Sequence, residues 1–406
     1  MSHSELNRCA MAYEPIVGGN RAAIATRLSF VPVDGTPILL ERLYPEIAAL
    51  WPDSATPVLI DAGGVSPTVS IQNVKPVPHI WVEVPGAVCD GPSGFALIEA
   101  MQRAGFTLVL RGRPAVPVPT HLLSAFKLAL IHVSEDRRLR DSDDEIESSR
   151  ARHAGQRQIP YAQEGVDSIE LMERCFKAGA EAVIGWPFAD AVNHAGSART
   201  SPDFSTITKL LQMLNRGDDP APMEEEIKRD PALAFRLLRY INSPAFGLRV
   251  EIQSFRHALM MLGYKNLKKW LSLLLATASK NANLRPVMFA SFRRGLFLER
   301  LVGGNNDEQT RDEAFLLGIF SLLDKLFNEP LDELLPKLNL PERVLDTLIG
   351  DGPGPYGAYL RVAEAVEYDP QHRLDELLTN AFLTREQCNA ALVHALTAPA
   401  FGSEAA

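Results

Sequence analysis

The sequence is short of the features that mark several large protein classes. It has four cysteines in 406 residues, Cys9, Cys89, Cys175 and Cys388. They lie far apart and none forms a CxxC pair. No disulfide framework or zinc cage is readable, and a reducing compartment fits best. Long hydrophobic runs are also missing. The longest apolar stretch, Trp270–Ala278, is interrupted by Ser272 and Thr277. It is far short of the roughly 20 residues that cross a bilayer. Met1–Glu14 is polar and lacks the apolar segment of a secretory signal. A cytoplasmic protein with no membrane insertion is therefore expected. Basic residues are in deficit: 41 Lys and Arg face 50 Asp and Glu, for a net charge of −9. A nucleic-acid footprint needs concentrated cations against phosphate, so no nucleic-acid partner is expected.

Chemical motifs are sparse as well. No His-Asp dipeptide occurs, and none of the nine histidines pairs with another at i+3 or i+4. This speaks against the metal site of an HD-type hydrolase. No GxSxG elbow is present. Gly18-Gly19-Asn20 and Gly63-Gly64 have the character of turns, not of phosphate loops.

What remains is an ordinary globular composition, 46% apolar and 22% charged, long enough for two or three domains. The first half alternates short apolar runs with amphipathic segments. The runs are Thr56–Ala62, His79–Val84, Phe106–Leu110, Lys127–Val133, Gln158–Ala162 and Glu181–Trp186, with an earlier strand around Ala22–Val31. Bounded by Gly and Pro, they predict buried strands of a parallel sheet. Helical patterns cover Glu41–Leu50, Pro92–Ala104 before Gly105, and Ser168–Ala178 with Ser168 as N-cap. Alternation of this kind predicts an α/β fold, either open and doubly wound or a barrel. Glu135–Arg157 is a dense mixture of both charges, expected to be solvated.

Near Asn193–Asp203 the pattern changes to small, polar, turn-rich residues, and every later segment has helical period. Ile207, Leu210, Leu211 and Leu214 form one stripe, closed by Gly217. Leu267, Trp270, Leu271 and Leu274 form another, and Leu316, Ile319, Phe320 and Leu323 a third. The expected division is an α/β domain over 1–193, a linker over 194–203 and an all-helical domain over 204–400.

Ile227–Gly247 (IKRDPALAFRLLRYINSPAFG), Ile252-Gln253-Ser254 and His257–Gly263 (HALMMLG) resemble the HDOD signature. Glu313–Asp324 is similar to the variant of that family found behind EAL domains. HDOD domains are relatives of HD hydrolases without the catalytic dyad, and act as regulatory modules in bacterial signalling. The signature residues have local structural reasons. Asp230 and Pro231 start a helix, Asn242 and Ser243 bond backbone where it ends, and Gly247 permits a turn. Ser254 begins the next helix and Gly263 ends it.

The first half resembles an EAL domain, a TIM-type barrel that hydrolyses cyclic di-GMP in active members. The likeness is carried by Tyr13–Val17 (YEPIV), Arg27–Phe30 (RLSF), His79–Pro85 (HIWVEVP), Gly105–Leu110 (GFTLVL), Ala162–Ser168 and Gly185–Phe188 (GWPF). Active members hold two divalent cations through carboxylates. By that resemblance Arg27 replaces the motif glutamate, Arg111 and Gly112 replace paired aspartates, and Gly165 stands at the lysine position. Asp61, Glu83 and Asp167 retain oxygen ligands. The implied pocket of Arg27, Asp61, Glu83, Arg111 and Asp167 is a vestigial ligand site, without metal or cofactor. The resemblance thus implies a degenerate EAL barrel followed by an HDOD bundle, not an enzyme. Its implied role is a non-catalytic adaptor, acting on protein partners in cyclic di-GMP-linked control of motility, pili or biofilm. The alternatives are a cyclic di-GMP sensor without hydrolysis, or a residual phosphodiesterase.

Overall fold

The short apolar runs form a closed barrel. The computed structural model describes residues 5–33, 35–61, 63, 65–66, 71, 73–140, 159–188, 202–228, 255–277, 282–303, 308–327, 329–338, 340–368 and 374–398. Most of the charged stretch 135–157, the linker up to 201, and Asp230, Pro231, Asn242, Ser243, Gly247 and Ser254 lie outside the described residues.

The strands are β1 (Cys9–Gly18), β2 (Ala23–Pro32), β3 (Ile38–Leu39), β4 (Val58–Ile60), β5 (Val65–Ser66), β6 (Ile80–Pro85), β7 (Thr107–Arg111), β8 (Phe126–His132), β9 (Tyr161–Glu164) and β10 (Ala182–Ile184). Eight of them close in the order β1-β10-β9-β8-β7-β6-β4-β2, and β3 pairs with β5 apart from the barrel. Closure settles the choice between an open sheet and a barrel.

One expectation is corrected here. The sheet is not wholly parallel, because β1 runs antiparallel to both β2 and β10. The reason is the connection. Only Gly19–Ala22 separates β1 from β2, too little chain for the crossover that parallel neighbours require. Gly18 and Ala22 bond through the backbone, and Arg21 takes φ 66° to make the turn. β1 was not legible as a strand because nearly all of it is buried, so it shows no alternation.

The barrel interior is filled by Ile16, Ala25, Leu59, Trp81, Val109, Leu128, Leu130, Ala162, Ala182 and Ile184. Strand side chains alternate with period two, so each strand sends every second residue inward. The outer layer is helical. α1 spans Leu40–Leu50, α2 Pro92–Ala104 and α3 Ile169–Lys177. Gly105 ends α2 at φ 96°, a left-handed cap that other residues adopt at a cost. Ser168 caps α3 by accepting from the Leu171 amide. Met172 and Cys175 of α3 pack on Val17, Tyr161 and Val183 of the sheet.

The chain divides into two compact units: Met1–Ala191 together with Ala358–Ala406, and Val192–Gly357. The sequence-based boundaries placed everything from 204 to 400 in one helical domain. Instead, the last helices group with the barrel. An apolar helix must be covered, and its sequence does not name the surface that covers it.

In the second unit the described residues form helices and turns: α4 (Pro202–Arg216), α5 (Pro220–Lys228), α6 (Phe255–Thr277), α7 (Arg285–Leu301), α8 (Glu308–Phe320), α9 (Leu323–Phe327), α10 (Leu331–Leu334) and α11 (Glu342–Ile349). The three stripes read from the sequence are all buried. Gly263 interrupts α6 at φ 70°. α7 and α8 meet glycine to glycine: a Cβ added to Gly318 would lie 2.4 Å from the Gly295 nitrogen. The barrel unit is completed by α12 (Gly357–Tyr368), α13 (Leu374–Asn380) and α14 (Arg385–Thr397).

Candidate functional site

Counting two residues beyond an inward core position reaches one end of the barrel. From Ala25, Leu59, Trp81, Val109 and Ala162 this gives Arg27, Asp61, Glu83, Arg111 and Glu164. Antiparallel β1 counts the other way, from Ile16 to Glu14. For the parallel strands this is the C-terminal end, where barrels of this kind gather their functional side chains.

Arg27 is the hub. Its Nε lies 3.1 Å from Glu83 Oε2 and its Nη2 3.2 Å from Glu83 Oε1, a two-pronged contact. The same guanidinium reaches Asp61 Oδ1 at 3.3 Å, Glu14 Oε2 at 3.3 Å and Glu164 Oε2 at 3.4 Å. Arg111 spans the rim, 3.2 Å from Glu83, 3.3 Å from Asp61 and 3.7 Å from Glu164. Asp61 also accepts from Ser29 Oγ at 2.8 Å and from the Gly63 amide at 2.7 Å. The Glu83 side chain is 0% exposed and that of Arg27 6%, whereas Arg111 is 37% exposed.

Burial opposes charge at this depth, and the partners decide the outcome. Desolvation works against the Arg27 cation, but Glu83, Asp61, Glu14 and Glu164 outweigh it and hold its proton more firmly than usual. Burial pushes the Glu83 carboxyl up to about 7 against the pull of Arg27 and Arg111, with Asp61 adding to the rise. Burial likewise raises Glu14 despite Arg27. Asp61 goes the other way: burial would raise it, but Arg27, the Gly63 amide, Ser29 and Arg111 hold it below its ordinary value.

A pH signature follows. The folded protein binds the Glu83 proton more tightly than the unfolded chain does. The stability contributed by that proton is complete below about pH 4.5 and is lost as pH rises toward 7. Asp61 acts oppositely, contributing above 3.8 and losing its contribution in stronger acid. The melting temperature of the native chain minus that of Glu83→Gln is expected to fall from pH 5 to pH 7.5. A difference that stays constant contradicts the assignment.

The structure brings Arg27, Asp61, Glu83 and Arg111 together. Asp167 is corrected: it is exposed and joins none of these ion pairs. Gly165, at φ 81°, turns the chain out of the barrel just before it. Glu14 and Glu164 were missed. Period-two counting along YAQE from Ala162 would have found Glu164, but Glu14 needed β1.

The EAL resemblance implies divalent cations here, and the residues do not fit them as they stand. The space among the four carboxylates is taken by the Arg27 guanidinium. Among the described residues no three His, Cys, Asp or Glu side chains form a metal-holding group. A fixed, always-protonated cation there repels a second one.

Residues 202–329 match the family model of the HDOD domain. The chain is 30% identical over 168 residues to the cyclic di-GMP phosphodiesterase CdgJ of Vibrio cholerae, covering 41% of this chain and 39% of that protein. It is 23% identical over 199 residues to YuxH of Bacillus subtilis, an uncharacterized protein, covering 48% of each. The chain thus spans less than half the length of these curated relatives. Among solved structures it is similar to a standalone EAL protein of Vibrio cholerae O395 in its c-di-GMP-bound form. There the identity is 15%, with a TM-score of 0.31 over 45% of this chain and 91% of that one. One expectation is overturned. The EAL resemblance implies a chain that is not an enzyme, whereas its relative CdgJ is named a phosphodiesterase. No helix among the described residues is long and apolar enough to cross a membrane. The chain pairs a closed eight-stranded α/β barrel, the fold that the EAL resemblance implied, with a helical region whose residues 202–329 match the HDOD domain.

Proposed function

We propose that this protein is a cytoplasmic adaptor in cyclic di-GMP-linked regulation, working through contacts of its HDOD half with protein partners. The observation that carries the reading is the HDOD match over 202–329. The relation to CdgJ supports the cyclic di-GMP context. The closed, self-paired mouth of the barrel supports a scaffold role: its four carboxylates are engaged by Arg27 and Arg111. The outputs assigned by resemblance are motility, pili or biofilm. Four buried free thiols agree with the cytoplasm.

A second reading, hydrolysis of cyclic di-GMP, is favoured by the name of CdgJ. The full chain separates the two. Proteins crosslinked to it in native cells are expected to be recovered reproducibly and to be lost when the HDOD surface is altered. Cyclic di-GMP turnover in Mg²⁺ or Mn²⁺ that is abolished by Glu83→Gln, with no protein enriched, replaces the first reading by the second.

A further inference from the structure

Lys265, Lys268 and Lys269 share one face of α6 beyond its break at Gly263, at spacings of i, i+3 and i+4. They line a cleft of about 400 Å³ with Asp312 and Glu313 of α8, over an apolar floor of Leu316 and Pro341. Most of its charges are already spoken for. Asp312 pairs with Lys265 at 3.4 Å and with Lys269 at 3.1 Å, and Lys269 also pairs with Glu299. Glu313 accepts from the Tyr356 hydroxyl at 2.6 Å and pairs with Arg343 at 3.3 Å. Lys268 is different. Half-buried, it makes no ion pair among the described residues. Burial lowers its affinity for a proton, with Asp312 and Glu313 only partly compensating.

We propose that this cleft binds a carboxylate-bearing peptide segment of a partner protein, with Lys268 as its counter-cation. The cleft offers one lysine with no ion pair among the described residues, the Asp312 carboxylate as an acceptor for a backbone N–H group, and an apolar floor. Glu313 is buried, with both oxygens taken by Gln309, Tyr356 and Arg343. A peptide with an acidic side chain beside an apolar one presents all three complements. A cyclic dinucleotide carries two phosphodiester charges, and among the described residues the cleft has one lysine without an ion pair to meet them. The inference rests on the reading of the HDOD half as a partner-contacting module and gives that contact a place.

The test uses the full chain on an array of short Leu/Pro-flanked peptides carrying one Glu or Asp, against the same peptides carrying Gln or Asn. Acidic peptides are expected to be retained roughly fivefold better, the range of one partly desolvated ion pair. Lys268→Gln removes that preference and Lys268→Arg keeps it, both with the native melting temperature. Equal retention of Glu and Gln peptides, or an unchanged preference in Lys268→Gln, overturns the proposal. Displacement of the peptides by stoichiometric cyclic di-GMP also overturns it, assigning the cleft to a nucleotide. Partners that crosslink equally to native protein and Lys268→Gln leave the adaptor reading intact and exclude this cleft from it.

Discussion

Arg27→Met is expected to lower the stability of the barrel by about 3–5 kcal/mol, the cost of removing one partner from a buried ion pair. Among the described residues Glu83 would keep only Arg111 as an ion-pair partner, with no exposure to water. Asp61, Glu14 and Glu164 would lose their shared counter-charge as well. The loss should depend on pH. A protonated Glu83 needs no counter-ion, so the variant should be hurt more at pH 8 than at pH 5. Adding Glu83→Gln to Arg27→Met should recover part of the loss, because the stranded charge is then gone. Urea denaturation of the three variants at both pH values checks this. A loss below about 1 kcal/mol that ignores pH would mean the pair is a surface-like contact.

Ending the chain at residue 357 should abolish cooperative folding of the barrel. The segment from 358 belongs to the barrel unit, and its bonds into that unit are specific. The buried Asn389 carboxamide donates to Leu6 O at 2.7 Å and to Cys9 O at 3.0 Å. The Trp186 indole donates to Glu367 O at 2.9 Å, inside an edge-on cluster with Tyr13 and Phe188. Cys388, Ala391, Leu392, Ala395 and Leu396 of α14 are buried. Their loss would expose an apolar face and leave backbone carbonyls without donors. Within the full chain, Asn389→Leu alone should cost about 1–3 kcal/mol, since Cys9 O and Leu6 O lose the carboxamide donor and Leu6 O keeps only the weak Cys9 thiol bond among the described residues. Near-UV circular dichroism reports on the packing of the aromatic side chains, Trp186 among them. A fragment 1–357 with the native aromatic signal and melting transition would contradict the role given to the last helices.

These two regions mark what the sequence disclosed and what it withheld. The parallel strands were legible because each is a short apolar run between turn residues. The helices from Pro92 and Ser168 were legible because their caps are written in residue types. Arg27, Asp61, Glu83 and Arg111 were legible through the EAL pattern, and strand periodicity explains why they meet. Glu14 was not legible, because nothing in a buried strand without alternation says which side chains turn inward. Asp167 misled because a carboxylate near a strand end resembles a ligand until the turn at Gly165 is known. The placement of residues beyond 357 was hidden for a different reason. Helices rich in apolar residues must be covered, and only the tertiary structure states by what.

Arg27 occupies the centre of the barrel's carboxylates. Titration of Mn²⁺ into the full chain, followed by the electron paramagnetic resonance of the free ion, tests this most directly. Near pH 7.5 the native chain should remove no more Mn²⁺ than the double variant Asp61→Asn/Glu83→Gln. A Mn²⁺ site in the native chain that the double variant lacks would contradict Arg27's place among the carboxylates.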